Sequence, residues 1–355
     1  MRLEEHHLEE LASGVDSLYL SSRPNISEEL FLQLGLHSQS ARDADKDSLP
    51  FQIGGETFQV LNHSWQKYSV CLRHEHGLIG FTNSKKLPGI RVQIYSEFLH
   101  SVGVKVALAW FTTILGLQGI AVEWTVSRID LFMDVQGWDL STVERSGFIC
   151  RATQFGMDGE DGQFTGYRFG RRKTGTVIAR IYNKTEEIKA SSKDWMKLIW
   201  GSRWVPSEDV WRIEFEIHSQ FLREVGLVPA LQVLDSIGDL WTTLTQVWLT
   251  HRKEGYDSNS SRWQISEEWK FVQGCSFVSD VVPLKRIRQV KRLHHLDSIM
   301  AGLKGYVTSV SAHSEAESLG ECMEFVQDRL EEYDRRSRTT FLETLQIKRA
   351  WLNSL

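Results

Sequence analysis

The chain has 355 residues, 41% hydrophobic and 25% charged, the make-up of a folded globular protein of about two domains, which excludes wholesale disorder. Its net charge of -5 argues against a nonspecific polyanion binder, although local cation density matters more than the total. The cysteines Cys71, Cys150, Cys275 and Cys322 are scattered without a CxxC, so neither a disulfide framework nor a zinc knuckle is expected, and a reducing cytoplasm fits.

The N-terminus, MRLEEHHLEEL, is acidic and lacks the apolar core of a secretory signal; a short helix or frayed end is expected over residues 1–12. Gly14–Ser22 reads as a strand with Asp16, Leu18 and Leu20 on one face. A helix is expected over Glu28–Leu36, followed by a flexible loop at SQSARDADKDS. Alternating segments at Thr57–Asn62, Tyr68–His76, Gly77–Thr82 and Ile90–Tyr95 predict a meander of hairpins. A helix over Ser96–Leu117 follows. The charge-free run Val106–Val122 is only 17 residues long and contains Thr, Gln and Gly, which favours a buried helix and a turn over a membrane span.

Val126–Val135 (VSRIDLFMDV) places Arg128, Asp130, Phe132 and Asp134 on one face and Ile129, Leu131, Met133 and Val135 on the other. Leu140–Thr153 predicts a second helix, and Gly156–Gly162 (GMDGEDG) a tight acidic turn. Phe164–Phe169 and Thr176–Tyr182 pair as a hairpin around the basic tip GRRKTG, which holds Arg171, Arg172 and Lys173. Val177–Glu187 (VIARIYNKTEE) sets Ile178, Arg180 and Tyr182 on one face, with Lys184 beside them if the strand extends that far. A helix over Thr185–Ile199 leads to Trp211–His218 (WRIEFEIH), where Arg212, Glu214, Glu216 and His218 oppose Ile213, Phe215 and Ile217. Beyond Ser219, the segments Leu222–Thr250, Leu284–Leu303 and Leu319–Leu352 are helical in period. The expected fold is therefore α+β: a central antiparallel sheet with flanking helices over residues 1–225, then a helical C-terminal region over 226–355.

Distances decide which acids can cooperate. Asp130 and Asp134 lie about 13 Å apart along one strand, too far to share a cation, whereas strands about 5 Å apart let Asp130 converge with Glu214 or Glu216 on one divalent ion. Such oxygen donors select Mg²⁺ or Mn²⁺ over zinc, and Asp134 is left at the edge of the site or in a structural role. Roughly one tyrosine in a thousand is ionised at pH 7. Arg180 and Lys184 would favour the Tyr182 phenolate, with a nearby carboxylate taking the proton, and this suits phosphodiester transesterification through a phosphotyrosine. Arg128 and Arg212 each precede an acid by two residues and serve to hold carboxylates. Tyr167, fifteen residues before Tyr182, is a rival nucleophile. The bland alternative is a solvated sheet face laced with cross-strand ion pairs.

Cations cluster where that chemistry lies. Arg168–Arg203 holds ten Lys/Arg against three Asp/Glu, and the KRIRQVKR segment adds Lys285, Arg286, Arg288, Lys291 and Arg292 with no acid. Both the GRRKTG tip and this segment suit phosphate contacts; a solvated tip and a surface helix facing acidic residues are the alternatives.

The stretch TGYRFGRRKTGTVIARIYNKTEE, with SRIDLFMD upstream and WRIEFEIHSQFLRE downstream, resembles the rolling-circle replication initiators of the Rep_trans type. The resemblance covers about Gly14–Glu224 and extends weakly to SRWQISEEWKFVQG. It implies a fold related to the His-hydrophobic-His endonucleases and a Tyr182 that nicks one strand of a double-strand origin and becomes joined to the 5′ phosphate. It further implies a divalent metal held at Asp130 and Glu214, with Asp16 of the first strand as a further acid. Implied partners are a hairpin-forming DNA origin and a host helicase of the PcrA/UvrD type; a homodimer and no membrane are expected beside them. The C-terminal region would then serve DNA recognition, oligomerisation or helicase contact. The His-hydrophobic-His pair itself is missing. Its nearest counterpart, His74-Glu75-His76, reads as a polar hairpin edge. A conjugative or mobilisation relaxase of the same chemistry and a noncatalytic DNA-binding protein are the other readings, and a polymerase palm would share the acids without needing the tyrosine.

Overall fold

A computed structural model describes residues 7–160, 162–171, 175–191, 193–275 and 277, together with 300, 303–304, 306–336, 340–343, 345–346 and 349. The strands are β1 (Glu9–Ser22), β2 (Ser48–Ile53), β3 (Glu56–Leu61), β4 (Val70–His74), β5 (Gly77–Phe81), β6 (Ile90–Ile94), β7 (Thr125–Gln136), β8 (Phe148–Cys150), β9 (Phe155–Glu160), β10 (Gln163–Phe169), β11 (Val177–Asn183), β12 (Trp211–His218) and β13 (Leu249–His251). Eleven of them form one sheet in the order β2-β3-β4-β5-β6-β1-β7-β12-β11-β10-β9, and β8 pairs with β13 apart from it. Every pairing in the large sheet is antiparallel.

The three amphipathic strands legible in the sequence stand side by side in this sheet. Ile129, Leu131, Met133, Ala179, Ile181, Ile213, Phe215 and Ile217 of β7, β11 and β12 are all fully buried on one face. Each large aliphatic or aromatic side chain so buried contributes roughly 1.5–3 kcal/mol. Period-two alternation then forces Asp130, Phe132, Asp134, Arg180, Tyr182, Arg212, Glu214 and Glu216 onto the opposite face.

Helix α1 (Glu28–Asp43) starts at Ser27, whose Oγ accepts a hydrogen bond from Leu30 N at 3.2 Å. It runs through most of the stretch expected as a flexible loop, because Ser38 and Ala41 bury and Ser38 Oγ donates to Leu61 O at 2.8 Å. Replacing Ser27 by Ala orphans the Leu30 amide and should cost about 1 kcal/mol in urea unfolding.

The single helix expected over Ser96–Leu117 is broken into α2 (Ser96–Val102) and α3 (Val104–Leu117), which meet at a 109° bend at Gly103, φ 81°. A left-handed φ suits glycine and interrupts the helix. Among the described residues no single helix is long and apolar enough to cross a membrane, and α3 buries Ala107, Leu108, Phe111, Ile114 and Leu115.

Several local expectations yield to long-range pairing. Residues 9–12 belong to β1 and pair with β7. The helix expected over Leu140–Thr153 is replaced by two 3₁₀ turns and β8, whose partner β13 lies a hundred residues further on. The acidic turn at Gly156–Gly162 is strand β9 as far as Glu160, since hydrogen bonds to β10 override the poor strand propensity of Gly and Asp. The helix expected over Thr185–Ile199 is split into α4 (Lys184–Ser191) and α5 (Met196–Trp200).

The chain divides into two compact units, Met1–Arg286 and Ile287–Leu355. This corrects the expected boundary near residue 225. Helices α6 (Ser219–Glu224), α7 (Ala230–Asp235), α8 (Ile237–Thr243) and α9 (Glu267–Gln273) bury Leu222, Val233, Leu234, Leu240, Trp241, Trp269 and Val272 in one cluster with the sheet. Trp241 meets Phe215 edge-on, with ring centroids 5.4 Å apart. In the second unit α10 (Leu319–Asp334) carries the first part of the amphipathic pattern, capped by Ser318. Most of Leu284–Leu303 lies outside the described residues.

Candidate active site

The register of β7, β12 and β11 builds the charged face in rows. Asp134, Arg212 and Tyr182 form one row, Phe132, Glu214 and Arg180 the next, and Asp130, Glu216 and Ile178 the third. Asp130 and Asp134 come from β7 and Glu214 and Glu216 from β12; the sheet brings the two pairs together.

Asp130, Glu214 and Glu216 converge on a single atom. Arg180 Nη2 lies 3.6 Å from Asp130 Oδ2, 2.5 Å from Glu214 Oε1 and 3.4 Å from Glu216 Oε2. Arg128 grips the same group from the other side, with Nε and Nη2 donating to Asp130 at 2.8 and 2.5 Å and Nη2 lying 2.9 Å from Glu216 Oε2. Burial pushes the Asp130 carboxyl up to about 7, Arg128 opposing and Glu214 adding to the rise. Burial would raise Glu216 as well, but His218, Arg128 and Arg180 outweigh it and hold that carboxyl below its usual range. His218 Nε2 sits 2.8 Å from Glu216 Oε1.

The donor chemistry of these three acids fits a hard divalent ion. Among the described residues, however, no group of three or more His, Cys, Asp or Glu side chains is disposed for an ion as it stands, since the Arg180 guanidinium holds the point where the oxygens meet. The Arg180 side chain is 38% exposed against 1% for Asp130, so the acids open to solvent on the arginine side.

Tyr182 lies on the same face, and its hydroxyl donates to Glu214 Oε2 at 2.8 Å. Burial first, and the Glu214 charge second, push this phenol well above a tyrosine's ordinary value, with Arg212 opposing. That corrects the expectation that Arg180 and Lys184 flank the hydroxyl and favour the phenolate. The strand ends at Asn183, and Lys184 turns into α4, where it is buried, pairs with Glu187 at 2.5 Å and stands 5.7 Å over the Tyr182 ring rather than at its oxygen. Burial and Arg212 lower the Lys184 ammonium below its usual range.

Asp16 is also corrected as a metal ligand. It occupies a bulge in β1 between the Val15 and Ser17 pairings with β7, and its Oδ1 accepts from Arg212 Nη1 at 2.7 Å and from Ser96 at 2.8 Å, with His100 3.5 Å away. Burial would raise it, but Arg212, His100, Lys184 and Ser96 hold it well below the usual carboxylate range. Arg212 itself supports Asp134 rather than Glu214, through bonds of 2.6 and 2.8 Å, and Trp200 Nε1 donates to Asp134 Oδ2 at 2.8 Å. Asp134 is therefore a buried structural acid.

The rival Tyr167 faces the core side, and its hydroxyl donates to Val143 O at 2.7 Å. His74 ends β4 and His76 lies in the turn, stacked on Phe98 at 3.8 Å; their ring centroids are 4.6 Å apart and both rings meet Trp110. Of the candidate DNA contacts, Arg171 is exposed, whereas Arg172, Lys173, Lys285, Arg286, Arg288, Lys291 and Arg292 lie outside the described residues. One functional position has no signal in its residue type. Gly166 faces Tyr182 across the hairpin, and a Cβ there would stand 2.5 Å from Ile181 O and 2.9 Å from Tyr182 Cβ. Gly166→Ala should cost about 1–3 kcal/mol through overpacking and tilt the tyrosine away from Glu214. Unfolding together with any Tyr182-dependent activity checks it.

The fold and site define an α+β protein whose long antiparallel sheet presents a tyrosine hydrogen-bonded to an acid cluster. Among solved structures, a rolling circle replication initiator protein from Geobacillus stearothermophilus is similar over 75% of this chain and 96% of that chain, at 15% identity and a TM-score of 0.44. A likeness of that extent defines neither a family nor an activity. No protein-family model matches the chain. No curated protein matches it.

Proposed function

We propose that this chain is a metal-dependent, origin-specific DNA nicking and joining enzyme that starts rolling-circle replication through a 5′-phosphotyrosine. The observation that carries the reading is the Tyr182 hydroxyl bonded to Glu214 on a face where Asp130 and Glu216 also meet. The order and spacing of the SRID, RIYNK and RIEFE motifs support the replication context.

In this reading Glu214 takes the phenolic proton as the Tyr182 oxygen attacks the scissile phosphorus. The new O–P bond forms as the P–O3′ bond breaks, and Glu214 returns its proton to the departing 3′ oxygen. The 3′ hydroxyl primes synthesis, and the reverse transfer recloses the strand. Arg128 keeps Asp130 and Glu216 in place, and Arg180, at the open side, is the cation nearest an entering phosphate. Asp130, Glu214 and Glu216 would hold Mg²⁺ or Mn²⁺, which supplies positive charge to the nonbridging oxygens. An extruded origin hairpin, a helicase of the PcrA/UvrD type and a homodimer belong to the same proposal.

Supercoiled plasmid bearing the candidate origin, incubated with Mg²⁺ or Mn²⁺ and with a chelator control, should yield an open circle with protein attached at Tyr182. Open circles free of protein, or attachment at another residue, would overturn the assignment. A relaxase would share the chemistry and differ in its target, a transfer origin. One observation favours a second reading: the acids are already ion-paired with Arg128 and Arg180, as a noncatalytic DNA-binding sheet would require. Origin binding without nicking in either metal is its signature.

A further inference from the structure

We propose that a cleft beside the acid cluster, on the same sheet face, seats backbone phosphates of single-stranded DNA next to the nick site. The inference deepens the nicking reading and rests on it. The cleft has a volume of about 670 Å³ and is lined by Gln66, Lys67, Tyr68, Arg91, Thr125 and Arg223, among others. The cations Lys67, Arg91 and Arg223 stand in its walls, and among the described residues that line it there is no carboxylate. A chain with a net charge of -5 has concentrated positive charge here against its own average.

The cleft lies next to the candidate active site. In the β6-β1-β7 register Arg91 faces Ser21, Ser21 faces Thr125, and Tyr19, two residues back on the same face, faces Arg128. The guanidinium carbons of Arg91 and Arg128 stand 5.4 and 5.2 Å from the centroid of that one Tyr19 ring. A single aromatic ring therefore separates the cleft from the arginine that holds Asp130 and Glu216. On the other wall, Ser219 and Arg223 of α6 line the cleft directly after His218, the Glu216 partner.

Arg91 is built to receive an anion. Its Nη1 donates to Gln66 Oε1 at 3.0 Å, its plane lies 5.5 Å from the Trp65 ring, and its Nε is buried without a hydrogen-bond partner. A half-buried guanidinium with no carboxylate among the described residues lining the cleft favours an anionic ligand. The tip that overhangs it is held by reciprocal backbone bonds of Trp65 and Tyr68, with Gln66 at φ 54°, a left-handed conformation uncommon outside glycine, and Lys67 beside it. The volume suits on the order of one or two nucleotides. A duplex presents its phosphates on a convex cylinder that does not enter such a space.

The test measures binding of the full chain to a fluorescent single-stranded oligonucleotide spanning the candidate nick site, in chelator so that no cleavage occurs. Lys67 and Arg223 are exposed, so the double variant Lys67→Gln, Arg223→Gln keeps the fold; Arg91→Gln removes the central cation. The expected result is an affinity about tenfold weaker and a salt dependence flattened by about 0.7 per lost contact, with duplex of the same sequence bound as before. Unchanged affinity and salt slope in the double variant, or an equal loss for duplex, would overturn the cleft. Covalent attachment by the unsubstituted chain is scored separately. Attachment with cleft-independent binding sinks only this inference, and cleft-dependent binding without attachment sinks only the nicking reading.

Discussion

Tyr182→Phe is expected to abolish covalent attachment to DNA, by a factor of at least about 10³, while unfolding within about 1 kcal/mol of the unsubstituted chain. The asymmetry follows from the contacts. The hydroxyl makes one described hydrogen bond, to Glu214 Oε2, and the other oxygen of that carboxylate stays engaged by Arg180 at 2.5 Å. Removing the phenolic oxygen therefore leaves no buried charge stranded. The hydroxyl proposed as nucleophile is the one bonded to Glu214, whereas Tyr167 bonds Val143 on the core side. Gel shift of the denatured protein–DNA adduct reads the first effect and urea unfolding the second. An adduct that survives Tyr182→Phe and disappears in Tyr167→Phe would move the chemistry to the other strand. A polymerase on this scaffold would keep its activity in both.

The electrostatics around Tyr182 differ from those a phenolate needs at rest. Burial and Glu214 hold the proton on, and the ammonium of Lys184 is spent on Glu187. A phenol held protonated and donating to Glu214 is a poised pair rather than a preformed nucleophile. Glu214→Gln tests this, because it removes the base while an amide oxygen can still accept from the hydroxyl. Adduct formation should fall by about 10²-fold or more, with Tyr182 still folded against its neighbours.

Much of this site was legible from period-two alternation alone. Asp130, Arg180, Tyr182, Glu214 and Glu216 were placed on one face of three strands because Ile129, Ile181, Ile213 and their neighbours had to be on the other. What alternation cannot supply is the occupant of the space between strands. Arg180 was expected at the phenol and instead fills the focus of the acids, a choice set by side-chain reach across β12. Asp16 was assigned to the wrong partners for a similar reason: a β-bulge turns it towards Arg212, and a bulge is invisible without its partner strand. The helix expected at Leu140–Thr153 and the turn at Gly156–Gly162 failed because β13 and β10 supply hydrogen bonds that no local window contains.

Arg212→Met should be the most destabilising single change on this face, by about 3–5 kcal/mol. Arg212 has no solvent exposure; it bonds Asp134 through Nε and Nη2 and Asp16 through Nη1, and its guanidinium lies 4.0 Å from the Phe132 ring centroid. A methionine fills most of the volume but strands two carboxylates, one of them fully buried, which is the costly way to break a buried ion pair. The double variant Arg212→Met, Asp134→Asn should recover part of the loss, since it removes one of the stranded charges while keeping an acceptor for Trp200 Nε1. Thermal and urea unfolding of the single and double variants give the coupling directly. A single variant within about 1 kcal/mol of the parent would mean that this network is solvated in solution, and that the rigid floor on which Tyr182 and Glu214 meet is weaker than its bonds imply.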